Sequence, residues 1–191
     1  KDPDADAWLD NPVAVTRDVR AITNTFKFVG NVYGTLNIFE GLDLKVSFGF
    51  DQYQNLQDYY NPTYTYSGSF NGGQARFSHA EFNSVLNENT LNYSIETGNH
   101  RLNALAGFTF QKKDQRSFTE VVTGFPNDRL EYFGITDAAN VPTIYSGFSE
   151  EALVSYLARI NYGFREKYLA TITHRIDGSS KFGPNNRFAH F

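Results

Sequence analysis

Strict alternation of apolar and polar side chains is the feature that most constrains the fold of this chain. Between residues 152 and 164 the even positions are Ala, Val, Tyr, Ala, Ile, Tyr and Phe, and the odd positions include Ser155 and Arg159. The alternation resumes over 168–177, after the charged triplet 165–167. A period of two places successive side chains on opposite faces of a strand. The segment therefore predicts an antiparallel hairpin with one apolar and one polar face.

A second hairpin is predicted upstream. Even positions are largely apolar over 26–38, and all of them are apolar over 42–50. Keeping the two apolar faces together requires Ile38 opposite Leu42, which leaves a three-residue loop. That loop ends in a glycine, Gly41, where such hairpins need a left-handed backbone.

A third hairpin is predicted between these two. Its first strand lies within 76–97 and carries apolar side chains at the odd positions Leu91, Tyr93 and Ile95, whereas its second strand, 100–111, carries them at even positions. Joining an odd set to an even set without a register slip requires a turn of even length. Gly98 and Asn99 form such a two-residue turn.

Long polar connections separate the hairpins. They are predicted as loops over 52–75, 112–149 and 177–187, and Asn127 is a candidate cap for one or two helical turns. Arg187 to Phe191 then begins a seventh strand. Alternation of short turns with long loops is typical of outer-membrane barrels, which have short periplasmic turns and long extracellular loops.

Composition excludes several other classes of protein. No cysteine is present among the 191 residues, so a disulfide scaffold and a thiolate metal site are excluded. The net charge of -4 argues against nucleic acid as a partner. No window approaches the roughly 18 consecutive apolar residues of a membrane helix.

The run from Leu153 to Phe188 resembles a known family. It contains LARINYGFREKY followed by DGSSKFGPNNRF, and it is similar to the SusC/RagA family of TonB-dependent outer-membrane transporters. Segments 30–51 and 89–111 resemble the family more loosely. The tryptophan that the family usually has after NNR is Phe188 here.

The resemblance implies an all-β fold, a segment of an antiparallel transmembrane β-barrel. Six strands and the start of a seventh cannot close a barrel, so we expect 1–191 to be part of a larger one of roughly 22 strands. The family's plug domain and TonB box are not expected in this chain. The implied function is TonB-dependent import of glycans or peptides across the bacterial outer membrane, with a SusD-like surface lipoprotein and TonB as partners.

Candidate functional residues fall into two sets. The polar parity of the strands is expected to face the barrel lumen, where it can contact water, plug or solute. Its candidates are Asp43, Lys45, Arg101, Asn103, Arg159, Asn161 and Arg175. The tyrosines expected to be exposed in the first long loop could stack on sugar rings or pack on a partner. They are Tyr59, Tyr60, Tyr64 and Tyr66.

No catalytic site, metal site or cofactor is predicted, and the protein is not expected to be an enzyme. The histidines lack the helical i,i+4 spacing and the cysteine neighbours of a zinc site. Aspartates in the first ten residues could contribute calcium ligands, but the glycine and terminal glutamate of a calcium loop are missing, so a solvated loop is the favoured interpretation.

Two alternative functions remain open at this point. A soluble or surface carbohydrate-binding β-sandwich would also show alternation, with its apolar face as the core. A passive porin-like barrel would share the membrane fold but would need no energy. Extraction with detergent separates the sandwich from both barrels.

Overall fold

The structure, a computed structural model, describes residues 12–191, which form one seven-stranded antiparallel sheet with strands in sequence order. The strands are β1 (Arg20–Phe39), β2 (Leu42–Asn61), β3 (Gln74–Thr97), β4 (His100–Thr123), β5 (Thr143–Phe164), β6 (Tyr168–Ser179) and β7 (Phe188–His190). Three short helices accompany them: α1 (Pro12–Asp18), α2 (Tyr66–Ser69) and a 3-10 helix (Glu131–Asp137). The candidate calcium aspartates lie outside the described residues. The expected fold class, a barrel segment of six strands and the start of a seventh, is confirmed.

A β-sandwich would require a second sheet packed against the first. Residues 12–191 contain one sheet, so the sandwich alternative is wrong. In this part of the chain no helix is long and apolar enough to cross a membrane.

The short turns follow from glycine at two of the three hairpins. Gly41 has φ 85°, and a Cβ there would lie 2.2 Å from the carbonyl oxygen of Ser94, so no other residue fits. Phe39 belongs to β1, which makes this turn one residue shorter than predicted. Gly98 and Asn99 form the predicted two-residue turn, with Gly98 at φ 59°.

The register between β5 and β6 agrees with the alternation in the sequence. Phe164 pairs with Tyr168 across the turn 165–167, and Ile160 pairs with Ile172. Apolar positions therefore oppose apolar positions on one face of this hairpin. Polar positions such as Asn161 and Thr171 oppose each other on the other face.

The strands are much longer than the sequence predicts. Of the segment 52–75, only 62–73 is a connection, and of 112–149 only 124–142 is one. Both long-loop predictions are therefore wrong over half of their length. The additional strand residues mix polar, aromatic and aliphatic side chains without regular alternation, so the sequence shows no period of two there.

The chain divides into two compact units. Of the described residues, unit 1 holds 12–27, 53–81 and 115–148, and unit 2 holds 28–52, 82–114 and 149–191. Unit 1 has a small core made by the strand ends and the second connection. It consists of Tyr60, Ala75, Val122 and Phe125, with Phe77, Tyr132 and Ala138 packed against it.

Candidate functional site

Residues predicted to face the lumen form hydrogen-bonded ladders in unit 2. The Asn103 amide donates to Asn92 Oδ1 (3.0 Å) and to Ser94 Oγ (2.8 Å). Asn161 Nδ2 lies 3.4 Å from Asn103 Oδ1, and Thr171 donates to Asn161 at 3.0 Å. One row of hydrogen-bonded amides and hydroxyls therefore crosses β3 to β6 on the polar parity.

The charged members of this set also have partners within the chain. Arg101 lies 2.6 Å from Glu96 and 3.9 Å from Glu166, and Arg175 lies 2.8 Å from Asp177. The remaining contacts are Asn37 to Asp43 at 2.9 Å, Lys45 Nζ to the Tyr33 ring centroid at 4.7 Å, and Arg159 Nε to Thr173 Oγ1 at 3.1 Å. These contacts hold the side chains in place, and their exposure to a lumen stays a prediction.

The opposite parity carries large exposed apolar side chains. Ile172 is 70% exposed, and its partner Ile160 is 48% exposed. Phe48 on β2 is exposed as well. Side chains of this size are normally buried in a water-soluble domain. An apolar face left open along several strands fits contact with lipid.

On that apolar parity, aromatic rings cluster beside the turn that precedes β4 and the turn that follows β5. The Tyr162 hydroxyl lies 2.7 Å from His100 Nδ1, and the His100 ring lies 4.9 Å from that of Phe164. Phe164 also stacks on Tyr168. Amphipathic rings in this position are typical of the boundary between lipid and water.

The four candidate tyrosines of the first connection have different environments. Tyr64 is 60% exposed, and the half-buried Tyr66 packs edge-on against Phe70. Half-buried Tyr59 is covered by the guanidinium of Arg76. Tyr60 is 0% exposed, so the prediction of an exposed ring is wrong for this residue.

Tyr60 is buried because Asp128 and Phe125, both distant in sequence, enclose it. Its ring packs edge-on against Phe125 at 5.2 Å, and its hydroxyl donates to Asp128 Oδ1 at 2.7 Å. Burial and this hydrogen bond raise the pKa of Tyr60 above its ordinary value.

Asp128 joins the two connections of unit 1. It accepts hydrogen bonds from the Thr63 backbone N–H at 2.8 Å and from the Thr63 hydroxyl at 2.6 Å, besides that from Tyr60. Burial alone would raise the pKa of Asp128, but these bonds outweigh it and lower the pKa below its ordinary value. Backbone bonds from Gly124 to Asn71 and from Phe125 to Gly72 run alongside.

A polar cleft of about 210 Å³ opens beside this network in unit 1. Its lining residues are Arg17, Asp18, Arg20, Tyr60, Pro62, Tyr64, Asp128 and Glu131. Only two of them, both tyrosines, were predicted from the sequence as candidate binding residues. The arginines and acids come from segments far apart in sequence, so no local motif marks them.

The known proteins that this chain resembles in sequence are TonB-dependent receptors. No protein-family model matches the chain. The TonB-dependent receptor P3 of Formosa agariphila is 31% identical over 183 residues, which cover 96% of this chain and 18% of that protein. The TonB-dependent receptor SusC of Bacteroides thetaiotaomicron is 26% identical over 188 residues, covering 95% of this chain and 18% of that protein.

A solved structure, that of the RagAB peptide transporter, has the same fold. It superposes with a TM-score of 0.82 at 24% identity, covering 90% of this chain and 19% of that one. The chain thus spans less than a fifth of the length of the relatives it matches.

Proposed function

Because the chain is a homologue of the TonB-dependent receptors, SusC among them, and matches a segment of their β-barrel, we propose that its protein imports oligomeric solutes across the bacterial outer membrane. The relatives are receptors and transporters, not enzymes. The solutes are glycans or peptides, and the import is driven through TonB.

The observation that carries this proposal is the two-faced sheet. The register pairs Ile160 with Ile172 on a face that is exposed and apolar, and Asn161 with Thr171 on the other face. Lipid on one side and a wet lumen on the other satisfy both faces at once. In a water-soluble protein the apolar face would need a cover.

The partners belong to the same proposal. We propose a SusD-like lipoprotein on the outer surface and TonB on the inner side, since the chain is similar to SusC and shares its fold with the transporter of the RagAB complex. The connections 62–73 and 124–142 are ordered by hydrogen bonds and a core of their own. A preformed surface of this kind suits contact with a partner or an arriving solute.

Uptake measured in cells that make the full-length protein tests the proposal. The probes are maltooligosaccharides from starch and tryptic peptides of casein, followed by mass spectrometry as they disappear from the medium. We expect uptake of one class to stop when this gene or that of TonB is deleted, and when a protonophore collapses the energy supply.

Uptake that persists with the protonophore would show a passive pore and contradict the proposal. Recovery of the protein in the aqueous fraction after carbonate extraction would contradict membrane insertion itself.

A further inference from the structure

Two cations lie on the apolar side of the turn between β5 and β6. The guanidinium carbon of Arg165 is 5.2 Å from the Phe164 ring centroid, and Lys167 Nζ is 5.7 Å from the Tyr168 ring centroid. The two rings stack with their centroids 6.4 Å apart, on the apolar parity described above. A cation over a ring is attracted by the negative face of the π-system. One stacked pair of rings therefore holds two positive groups at the edge of the apolar face.

The single acid of this turn, Glu166, lies towards the opposite face. Its Oε1 is 3.9 Å from Nη2 of Arg101, a residue of the polar parity whose Nε is 2.6 Å from Glu96. Among the described residues, no carboxylate is ion-paired with Arg165 or Lys167. The apolar side of the turn thus carries two positive charges without a compensating acid, whereas the charges on the polar side are paired.

The backbone of the turn holds charged residues in a conformation that favours other residue types. Arg165 and Glu166 both have φ 53°, in the left-handed region that glycine and asparagine adopt most easily. The Arg165 N–H donates to the carbonyl oxygen of Asn99 at 2.8 Å, and the Lys167 N–H donates to that of Phe164 at 3.1 Å. Strained residues persist where the surroundings fix them, and they are frequent at binding sites. The neighbouring turn therefore helps to fix the backbone from which Arg165 extends.

The combination of exposed rings and unpaired cations indicates the chemistry of the ligand. Phosphate oxygens accept hydrogen bonds from guanidinium and ammonium groups. A free phosphate ion would use the cations but would leave the Tyr168 ring, which is 61% exposed, in water. A phospholipid uses both features, because its acyl chains cover the rings while its phosphate reaches the cations at the boundary of the bilayer.

We propose that the turn 165–167 binds the headgroup of an anionic phospholipid in the leaflet that borders the short turns. The phosphate contacts Arg165 and Lys167, and the acyl chains lie along Phe164 and Tyr168. A zwitterionic headgroup binds less well because it brings an ammonium group next to the two cations. The inference rests on the membrane insertion that the proposed function requires, and it concerns a lipid ligand rather than the imported solute.

Native mass spectrometry of the full-length protein tests the site. The protein, purified in an uncharged detergent, is mixed with equal amounts of dioleoylphosphatidylglycerol and dioleoylphosphatidylcholine, which share their acyl chains and differ in headgroup charge. We expect the wild type to retain phosphatidylglycerol in preference to phosphatidylcholine. Arg165→Gln/Lys167→Gln should reduce this preference by about tenfold or more, because each cation at the membrane surface adds to the attraction of an anionic lipid.

Two double variants are the matched controls. Arg165→Lys/Lys167→Arg exchanges the cations and should keep the preference, since both charges remain. Lys181→Gln/Arg187→Gln removes the same two charges from exposed positions between β6 and β7 and should also keep it. Circular dichroism checks that each variant is folded. An excess of sn-glycerol 3-phosphate, a soluble headgroup without acyl chains, should not displace the bound lipid.

Equal retention of the two lipids by the wild type, an unchanged preference in Arg165→Gln/Lys167→Gln, or loss of the preference in either control variant would each overturn the inference. Displacement by glycerol phosphate would assign the turn to a soluble phosphate ligand and would equally contradict a lipid. Uptake that stays TonB-dependent despite any of these results would leave the import function standing. Uptake that is independent of TonB would refute import while leaving the lipid measurement valid.

Discussion

Asp128 is the residue on which the order of unit 1 most depends. Its carboxylate accepts three hydrogen bonds, two from Thr63 in the first connection and one from Tyr60 at the end of β2. A partly buried carboxylate with this many donors is stabilised in its ionised form. Removing the charge therefore weakens the link between the two connections.

Asp128→Asn should make the connection 124–142 easier to open, by about 1–3 kcal/mol, because one partner of a partly buried network is changed. Since the folded-state pKa of Asp128 is lowered, its contribution is present above the ordinary pKa of about 3.9 and is lost as the pH falls through the lowered value. Pepsin cleavage of the full-length protein should be faster for the variant at pH 4.5. The rates of variant and wild type should converge towards pH 2.5.

Asp137→Asn, at an exposed aspartate on the same segment, is the control and should leave cleavage unchanged. A rate ratio between Asp128→Asn and wild type that does not change with pH would contradict this role of the carboxylate.

Single-residue environments in unit 1 could not be predicted from the sequence. Tyr60 and Asp128 are 68 positions apart, and neither stands in a periodic pattern. The polar side chains around Tyr60 indicated a loop, whereas its burial depends on Phe125. Non-local contacts of this kind have no local signal.

At the scale of elements, alternation and turn chemistry were sufficient where one face is apolar. The turn at Gly98 was predicted to its length, and the charged turn after Phe164 is found where expected. Register is strongly specified there because a slip by one residue would exchange the two faces. Beyond Phe50 on β2 the alternation ends although the strand continues to Asn61.

The length of the strands has a physical reason. A strand of 20 residues such as β1 measures about 65 Å, or about 45 Å along the membrane normal at a tilt of 45°, whereas the apolar band of a barrel is about 25 Å tall. About half of each long strand thus lies outside lipid. In water the outward face has no reason to be apolar.

Ile172→Arg should destabilise the membrane-inserted protein by about 2–4 kcal/mol near the midplane, because a charge would face lipid. Thr171→Arg, at the preceding position of β6, should have a mild effect because its side chain points to the polar face, where arginine can still donate to Asn161 as Thr171 does. Both residues are exposed in the sheet, so the comparison is matched. Urea unfolding in lipid vesicles measures the difference.

Equal costs for the two β6 variants would refute the assignment of faces. Ser47 is unsuitable as a polar-face control, although its parity suggests it, because it is only 6% exposed and arginine would not fit there without displacing its neighbours.

For the whole molecule, the antiparallel order places alternate connections on the same side of the membrane. Cysteines at Asn71, Asp137 and Ser180, all exposed, should react with an impermeant thiol reagent on whole cells. A cysteine at Glu166, whose side chain is 88% exposed, should not react until the outer membrane is opened. Thr65, though in the same connection as Asn71, is unsuitable because it is 3% exposed.

Labelling at Glu166 alone on intact cells would invert this topology and contradict an outward position for the connections. The inverted topology would also place the cleft at Tyr64 on the periplasmic side, away from an arriving solute.

The order within the connections also decides where foreign sequence can be displayed. The longest connection, 124–142, would be a natural choice for an epitope insertion, yet it contributes Phe125 to a packed core and joins Asn71 and Gly72 through its backbone. By contrast, every side chain from Lys181 to Arg187 is exposed. A vaccine or biosensor scaffold made from this barrel would therefore carry its graft between β6 and β7, in the shorter connection.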